Sequence, residues 1–153
     1  MAIHLNQIPK EVREKLGLKE PPIYKQFWAV IGDNEPIFFR SSWEYYYCIF
    51  LEKLKQEKKI IGYKHEPKVF WFEQIKRGVR SYLPDFCVIH LDGSEEWAEV
   101  KGYYDAKSKT KMKRMAKYYP DVKIRLVGSD WFKQNLKGCK ALENVMVKKK
   151  FEK

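Results

Sequence analysis

The residues best suited to chemistry lie in a short stretch of the chain. Tyr82-Leu83-Pro84-Asp85-Phe86 is followed, beyond a turn, by Glu99-Val100-Lys101. An acid, then an acid and a lysine two apart on a predicted strand, can hold a divalent metal beside a phosphodiester. Hydrolysis of that bond needs a Lewis acid on the phosphoryl oxygens, an activated water and help for the leaving oxygen. Mg²⁺ suits the first role, because it binds a few hard oxygens while keeping waters and substrate phosphate in its shell; Mn²⁺ is expected to substitute. Asp85 and Glu99 would be direct ligands, the backbone carbonyl of Val100 a third, and Glu44 would complete the shell directly or through water. Lys101 would orient or help deprotonate the attacking water and stabilise charge developing on phosphorus. Taken singly these residues have plainer readings: an Asp after Pro is a turn residue, Glu-x-Lys on a strand is a surface ion pair, and Glu44 suits a helix start.

The elements that must position these groups follow from periodicity and punctuation. Residues 1–39 are read as an N-terminal arm and hairpin. Pro9 to Lys15 forms a short helix closed by Gly17, Pro21-Pro22 breaks any helix, and Gln26–Ile31 pairs with Pro36–Phe39 across Gly32-Asp33-Asn34-Glu35. Residues 40–136 are read as the core. Ser41 or Ser42 caps a helix from Trp43 to about Lys58, whose stripe Trp43, Tyr47, Phe50, Leu51 and Leu54 faces inward, and Gly62 ends the segment. Tyr63–Glu73 is a predicted strand, Gln74–Gly78 a turn, and Val79–Leu91 a second strand interrupted only by Pro84. The third strand, Glu96–Lys101, puts Glu99 and Lys101 on one side and Val100 on the other.

Hairpin arithmetic then decides the geometry. A two-residue Asp92-Gly93 turn would pair Asp85 with Val100, on the wrong face for Glu99. A three-residue Leu91-Asp92-Gly93 loop pairs Asp85 with Glu99, and the sequence predicts that loop, with Gly93 left-handed, or a bulge near Pro84. Beyond it a helix runs from about Ser108 to Tyr118, with Asp105 a candidate cap and Met112, Met115, Ala116 and Tyr119 on one face. Val122–Val127 forms a strand parallel to the third, because a helix crosses between them. A short helix over Asp130–Leu136 and a basic tail over 137–153, mobile from Lys148 to Lys153, complete the expectation.

Charge maps onto this plan. The net charge is +11. Residues 1–100 hold 15 Lys/Arg and 15 Asp/Glu, whereas residues 101–153 hold 16 against 5, so the excess lies entirely after the acidic motif. A basic face of that size attracts polyanions through counterion release. Lys107 just before the helix and Lys109, Lys111, Lys113, Arg114 and Lys117 on it, with the Arg125 strand, are the candidate DNA contacts. No apolar run approaches the ~20 residues of a membrane helix. Three scattered cysteines read as buried thiols of a reducing compartment, and no secretory leader is legible, so the chain is expected in the cytoplasm, that of a bacterial host if phage-encoded. His65 beside Glu66 reads as incidental, and His4 and His90 lack metal spacing. Tyr45-Tyr46-Tyr47 could stack on bases, although helix packing explains Tyr47 more cheaply.

Glu44, Pro84-Asp85 and Glu99-Val100-Lys101, in the order α-β-β-β-α-β, resemble the catalytic motif of the PD-(D/E)xK nuclease superfamily. Within it the chain is most similar to phage-type and archaeal-type Holliday junction resolvases and phage endonuclease I, through Ser41-Ser42-Trp43-Glu44 and Lys101-Gly102 over about residues 40–127. The resemblance implies an α/β, restriction-endonuclease-like core with a mixed central sheet, and a homodimer with two sites that each cut one strand of a branched duplex such as a four-way junction. The expected activity is therefore that of a Mg²⁺-dependent, structure-selective endodeoxyribonuclease acting in DNA recombination. The alternatives are a same-fold nuclease for nicked, mismatched or sequence-specific duplex, and a non-catalytic DNA-binding protein.

Overall fold

A computed structural model describes residues 9–17 and 26–152; Pro21-Pro22 and His4 lie outside them. In chain order the elements are α1 (Lys10–Lys15), β1 (Phe27–Ile31), β2 (Ile37–Phe39), α2 (Ser42–Gln56), β3 (Ile60–His65), β4 (Phe70–Trp71), β5 (Ser81–Tyr82), β6 (Phe86–His90), β7 (Glu95–Val100), α3 (Ala106–Tyr118), β8 (Ile124–Val127), α4 (Ser129–Met146) and β9 (Val147–Glu152). The protein is mixed α/β. A four-stranded sheet has the order β3-β6-β7-β8, with β7 and β8 parallel and the other pairs antiparallel. A second sheet has the order β2-β1-β9, and β4 pairs with β5 alone.

Helix α2 lies at the centre. Ser41 is extended, and its hydroxyl accepts the Glu44 N–H at 3.2 Å, which sets the helix start and hence the position of Glu44. The helix is buried on more than the expected stripe, because it packs between the two larger sheets and beside α4. Tyr45 meets Phe27 and Phe39 with ring centroids 5.0 and 5.6 Å apart, while Trp43 stacks on Phe132 at 4.3 Å. From the four-stranded sheet, Phe86, Val88, Ala98 and Val100 point into this core, and Cys87 and Trp97 point the other way, against Phe70, Tyr82 and Met115. The alternation of strand faces thus divides the interior in two. Cys48, Cys87 and Cys139 are free and buried, and no helix among the described residues is long and apolar enough to cross a membrane.

Several expectations need correction. Tyr63–Glu73 is not one strand: β3 ends at His65, Glu66 takes φ +45°, and Pro67 follows, so Phe70-Trp71 joins β5 in a separate ribbon. Val79–Leu91 is likewise two strands in two sheets, divided around the buried Pro84, which has no N–H for a ladder. Gly62 lies inside β3, and α2 ends instead at Gln56, with Glu57 as its C-cap ahead of a left-handed Lys58 at φ +59°. The last helix is 18 residues long, not a short one ending at Leu136. Phe132, Cys139 and Met146, seven apart, are its buried seam. The expected mobile tail is strand β9, paired antiparallel with β1 from Phe27↔Glu152 to Val30↔Lys149. Its lysines sit on a sheet edge, where charge discourages further strand pairing, and Lys148 Nζ lies 3.1 Å from Asp33 Oδ1.

Gly32 ties the end of β1 to the end of α4 and to α2. It holds φ +57°, donates its N–H to the Met146 carbonyl at 2.9 Å, and leaves the space taken by the Glu52 carboxylate. Glu52 is 1% exposed and accepts from the Tyr63 hydroxyl at 2.7 Å. An alanine methyl at position 32 would collide with that carboxylate in a backbone region L-residues avoid. Gly32→Ala is expected to destabilise the protein by about 2 kcal/mol or more, read as a lower urea midpoint at unchanged slope; a change under a few tenths of that would contradict this packing.

Candidate functional site

The β6–β7 hairpin carries the acids. His90 donates its N–H to the Ser94 carbonyl at 2.9 Å, Gly93 sits at φ +85°, and the loop is the three residues Leu91-Asp92-Gly93. Asp92 Oδ1 stiffens it by accepting from the Ser94 N–H and hydroxyl at 2.8 and 2.6 Å. The resulting register, Ile89↔Glu95 to Phe86↔Ala98, continued by one residue sets Asp85 opposite Glu99. The longer loop inferred from the sequence is the one present.

Asp85 is held twice at this sheet end. Its Oδ2 accepts the Val100 N–H at 2.7 Å, and its carbonyl accepts the Glu66 N–H at 2.9 Å. Val100 is itself buried, 8% exposed. Glu99 Oε2 accepts the Tyr82 hydroxyl at 2.7 Å. Lys101 points at the start of α3: its Nζ donates to Ser108 Oγ and lies 3.8 Å from Asp105 Oδ1. Asp105 is the N-cap of α3, accepting the Ser108 N–H at 2.8 Å and the Ser108 hydroxyl at 2.7 Å. Glu44, in the first turn of α2, is 7% exposed, and its Oε2 has no hydrogen-bond partner.

These carboxylates are electrostatically uneasy together. Burial, then Glu99, then Glu44 push the Asp85 carboxyl up to about 8, against the Val100 N–H, which favours the anion. Burial also raises Glu99, opposed by Tyr82, Lys101 and Lys111. Like charges crowded in a low-dielectric site favour either a proton or a cation among them. The donors are hard carboxylate oxygens and one of them is buried without a partner, a set that fits Mg²⁺ or Mn²⁺.

Two clefts bear on the site, and Glu99 lines the first of them. One, of about 320 Å³, is walled by Glu99, Lys101, Tyr104, Gly128 and Trp131 among others. Helix α4 begins at this cleft with no side-chain cap, so its positive end contributes to the wall. The second, of about 610 Å³, runs between the segment joining β4 to β5 and helix α3, lined by Arg80, Ser81, Lys107, Thr110, Lys111 and Arg114. Arg114 reaches across it to the Val79 carbonyl, and Lys111 is close enough to lower Glu99, so this basic groove leads to the acids. Lys109, Lys113 and Lys117 are exposed on the same helix.

Some expected roles shift. Arg125 is ion-paired with Glu96 at 3.0 Å. Tyr45 and Tyr47 are buried in packing and are not presented for base stacking, whereas Tyr46 is half-buried, with its hydroxyl, like that of Tyr45, donating to Glu143. His65, read from sequence as incidental, lies with Nε2 3.9 Å from Glu44 Oε2. Sequence reasoning also missed Arg80, the Tyr82 hydroxyl as partner of Glu99, and the Tyr104 hydroxyl, which is buried without a hydrogen-bond partner on the cleft wall. Only proximity in sequence hinted at them: Tyr82 precedes Asp85 by three residues and Tyr104 follows Lys101 by three.

By topology and site this is a mixed α/β protein with an acidic cluster at one end of its central sheet and a basic groove beside it. Residues 30–152 match a family described as "Protein of unknown function (DUF1064)", and the chain belongs to that family. No curated protein matches the chain.

Proposed function

We propose that the protein is a metal-dependent DNA endonuclease with a restriction-endonuclease-like core, acting on branched DNA as a Holliday junction resolvase. The observation that carries this reading is the register that brings Asp85 opposite Glu99, with Lys101 directly after the strand and the buried Glu44 close enough to perturb Asp85. The strand and helix order α2-β3-β6-β7-α3-β8, with its mixed sheet, supports the proposed fold. A binding protein has little reason to crowd carboxylates next to a phosphate-attracting groove.

In this reading Asp85 and Glu99, with Glu44, would hold Mg²⁺, which would supply Lewis-acid polarisation of the scissile phosphate. Tyr82 keeps the Glu99 carboxylate oriented. Lys101, steadied by Ser108, supplies fixed positive charge at the cleft for the negative charge that builds on the phosphoryl group. Arg80, Lys107 and Lys111 hold the flanking backbone, contacts that position DNA without reading bases.

The homodimer implied by the resemblance is part of the proposal. Trp28, 42% exposed, pairs with Phe151, 37% exposed, on the outer face of the β2-β1-β9 sheet, an apolar surface that a second copy would cover. Trp28→Ser should then shift the protein to a monomer on gel filtration.

Substrate preference is tested by incubating the protein with four-way junction, nicked duplex and linear duplex at equal strand concentration in Mg²⁺. Faster cutting of the junction supports the resolvase assignment; equal rates on linear duplex would leave a nuclease of another specificity. For the groove, replacing Arg80, Lys107 and Lys111 together by alanine should weaken junction binding. The slope of log K against log salt should fall in magnitude by about 2 to 3, because each lost phosphate contact releases one counterion fewer. An unchanged slope would place the DNA elsewhere.

A further inference from the structure

We infer that Glu44, His65 and Glu66 form a second cation site, built to take a divalent transition-metal ion in preference to Mg²⁺. It borrows Glu44 from the proposed catalytic cluster and rests on that reading to that extent. Its own donors, His65 and Glu66, have no part in the scheme above.

The geometry is that of ligands around a missing centre. His65 Nε2 stands 3.9 Å from Glu44 Oε2 and 4.0 Å from Glu66 Oε1, and one ligand atom from each of the three residues lies within 4.8 Å of the others. These separations are too long for hydrogen bonds. They suit two donors on one ion, each about 2.1 Å from it. The Glu44 and His65 side chains are 10% and 12% exposed, and Glu44 Oε2 and His65 Nε2 are both buried with no hydrogen-bond partner. Two orphaned polar atoms facing one another in an interior are costly unless something lies between them.

The surroundings hold the donors in place. The His65 ring is gripped between Phe39 and Phe86, at centroid distances of 5.6 and 5.2 Å, which restricts its plane. Glu66 is kept beside it by a left-handed backbone and by its N–H on the Asp85 carbonyl. Glu66, 21% exposed, is the open side of the site, and Arg40 Nη2, a competing cation, lies 3.8 Å from its Oε1. Imidazole nitrogen is a good donor to Mn²⁺, Co²⁺ or Zn²⁺ and a poor one to Mg²⁺, which seeks oxygens. The Asp85–Glu99 pair and the His65 group therefore differ in the metal they select.

Co²⁺ is the probe, because its visible absorption reports nitrogen coordination directly. Titration of the wild-type protein in excess Mg²⁺ should show one Co²⁺ per chain with a shifted visible band, and should displace the His65 ring proton resonance paramagnetically. His65→Ala should lose at least about tenfold in Co²⁺ affinity, and His65→Gln, which preserves the packing between Phe39 and Phe86, should do the same with the fold intact by circular dichroism. Asp85→Asn should keep the Co²⁺ band. Equal Co²⁺ affinity in wild type and His65→Gln, or full displacement by Mg²⁺, would overturn the site and leave a simple ion pair among the three side chains. The two proposals separate cleanly: loss of Co²⁺ on His65 substitution with no DNA cleavage under any condition would retain this site and remove the nuclease, and cleavage abolished by Asp85→Asn with Co²⁺ binding indifferent to His65 would do the reverse.

Discussion

Asp85→Asn will abolish the proposed metal-dependent cleavage, by on the order of 10³-fold or more, and will at the same time make the metal-free protein harder to unfold. The two effects have one cause. Asp85 is buried among acids that push its carboxyl up to about 8, so at neutral pH the native state bears either an ill-placed charge or a proton taken up on folding. Asparagine keeps an oxygen to accept the Val100 N–H, now at 2.7 Å, and removes the charge. The expected gain at pH 8 without metal is on the order of 2 kcal/mol, or about 5 °C in Tm for a chain of this size. The same substitution removes a ligand whose anionic oxygen the proposed metal requires. A variant that is inactive and less stable would assign Asp85 to the fold and not to a functional site. One that cleaves normally would take it out of the chemistry.

The stability of the metal-free protein should fall as pH rises from about 4 to 8. A carboxyl whose native value stands above its unfolded value binds more protons in the folded state across that interval, so raising the pH favours the unfolded chain. Asp85 moves from 3.8 to about 8, and Glu99 is raised as well, chiefly by burial. With one extra proton on the native state, the steepest part of the curve should approach about 1.4 kcal/mol per pH unit. Saturating Mg²⁺ should flatten the curve, since a cation replaces the proton, and Asp85→Asn should flatten it without metal. Urea unfolding at half-unit pH steps with EDTA reads this directly. A metal-free curve that is level or rises between pH 5 and 8 would mean that the acids are not crowded as described.

Much of this site is legible in the chain because it depends on local rules. The face alternation of β7, the loop ending in left-handed Gly93 and the Ser41 cap of α2 are set by neighbours a few residues away, and together they bring Asp85, Glu99 and Glu44 to one place. What was hidden depends on distant partners. The three lysines of β9 look like a tail because nothing nearby reveals that β1 will pair with them. The seam Phe132, Cys139 and Met146 is diluted by lysines and Gly138, so α4 reads as shorter than it is. The division of the chain around Glu66-Pro67 and Pro84 into two sheets is decided by which ribbon packs on α3, and Arg80 enters the groove only through that packing. His65 is unremarkable beside Glu66 in sequence; its meaning comes from α2 delivering Glu44 to its ring nitrogen.

The central claim is that the acids opposite one another on the β6–β7 hairpin make a metal-dependent DNA-cutting site. Its most direct test follows a 5′-labelled four-way junction bound by the wild-type protein in EDTA, to which Mg²⁺ is then added. The prediction is paired incisions near the branch that begin only on addition of Mg²⁺ and are absent with Asp85→Asn at equal junction occupancy. A junction that stays bound and intact in Mg²⁺ and in Mn²⁺ would contradict the claim and leave a protein that holds DNA without cutting it.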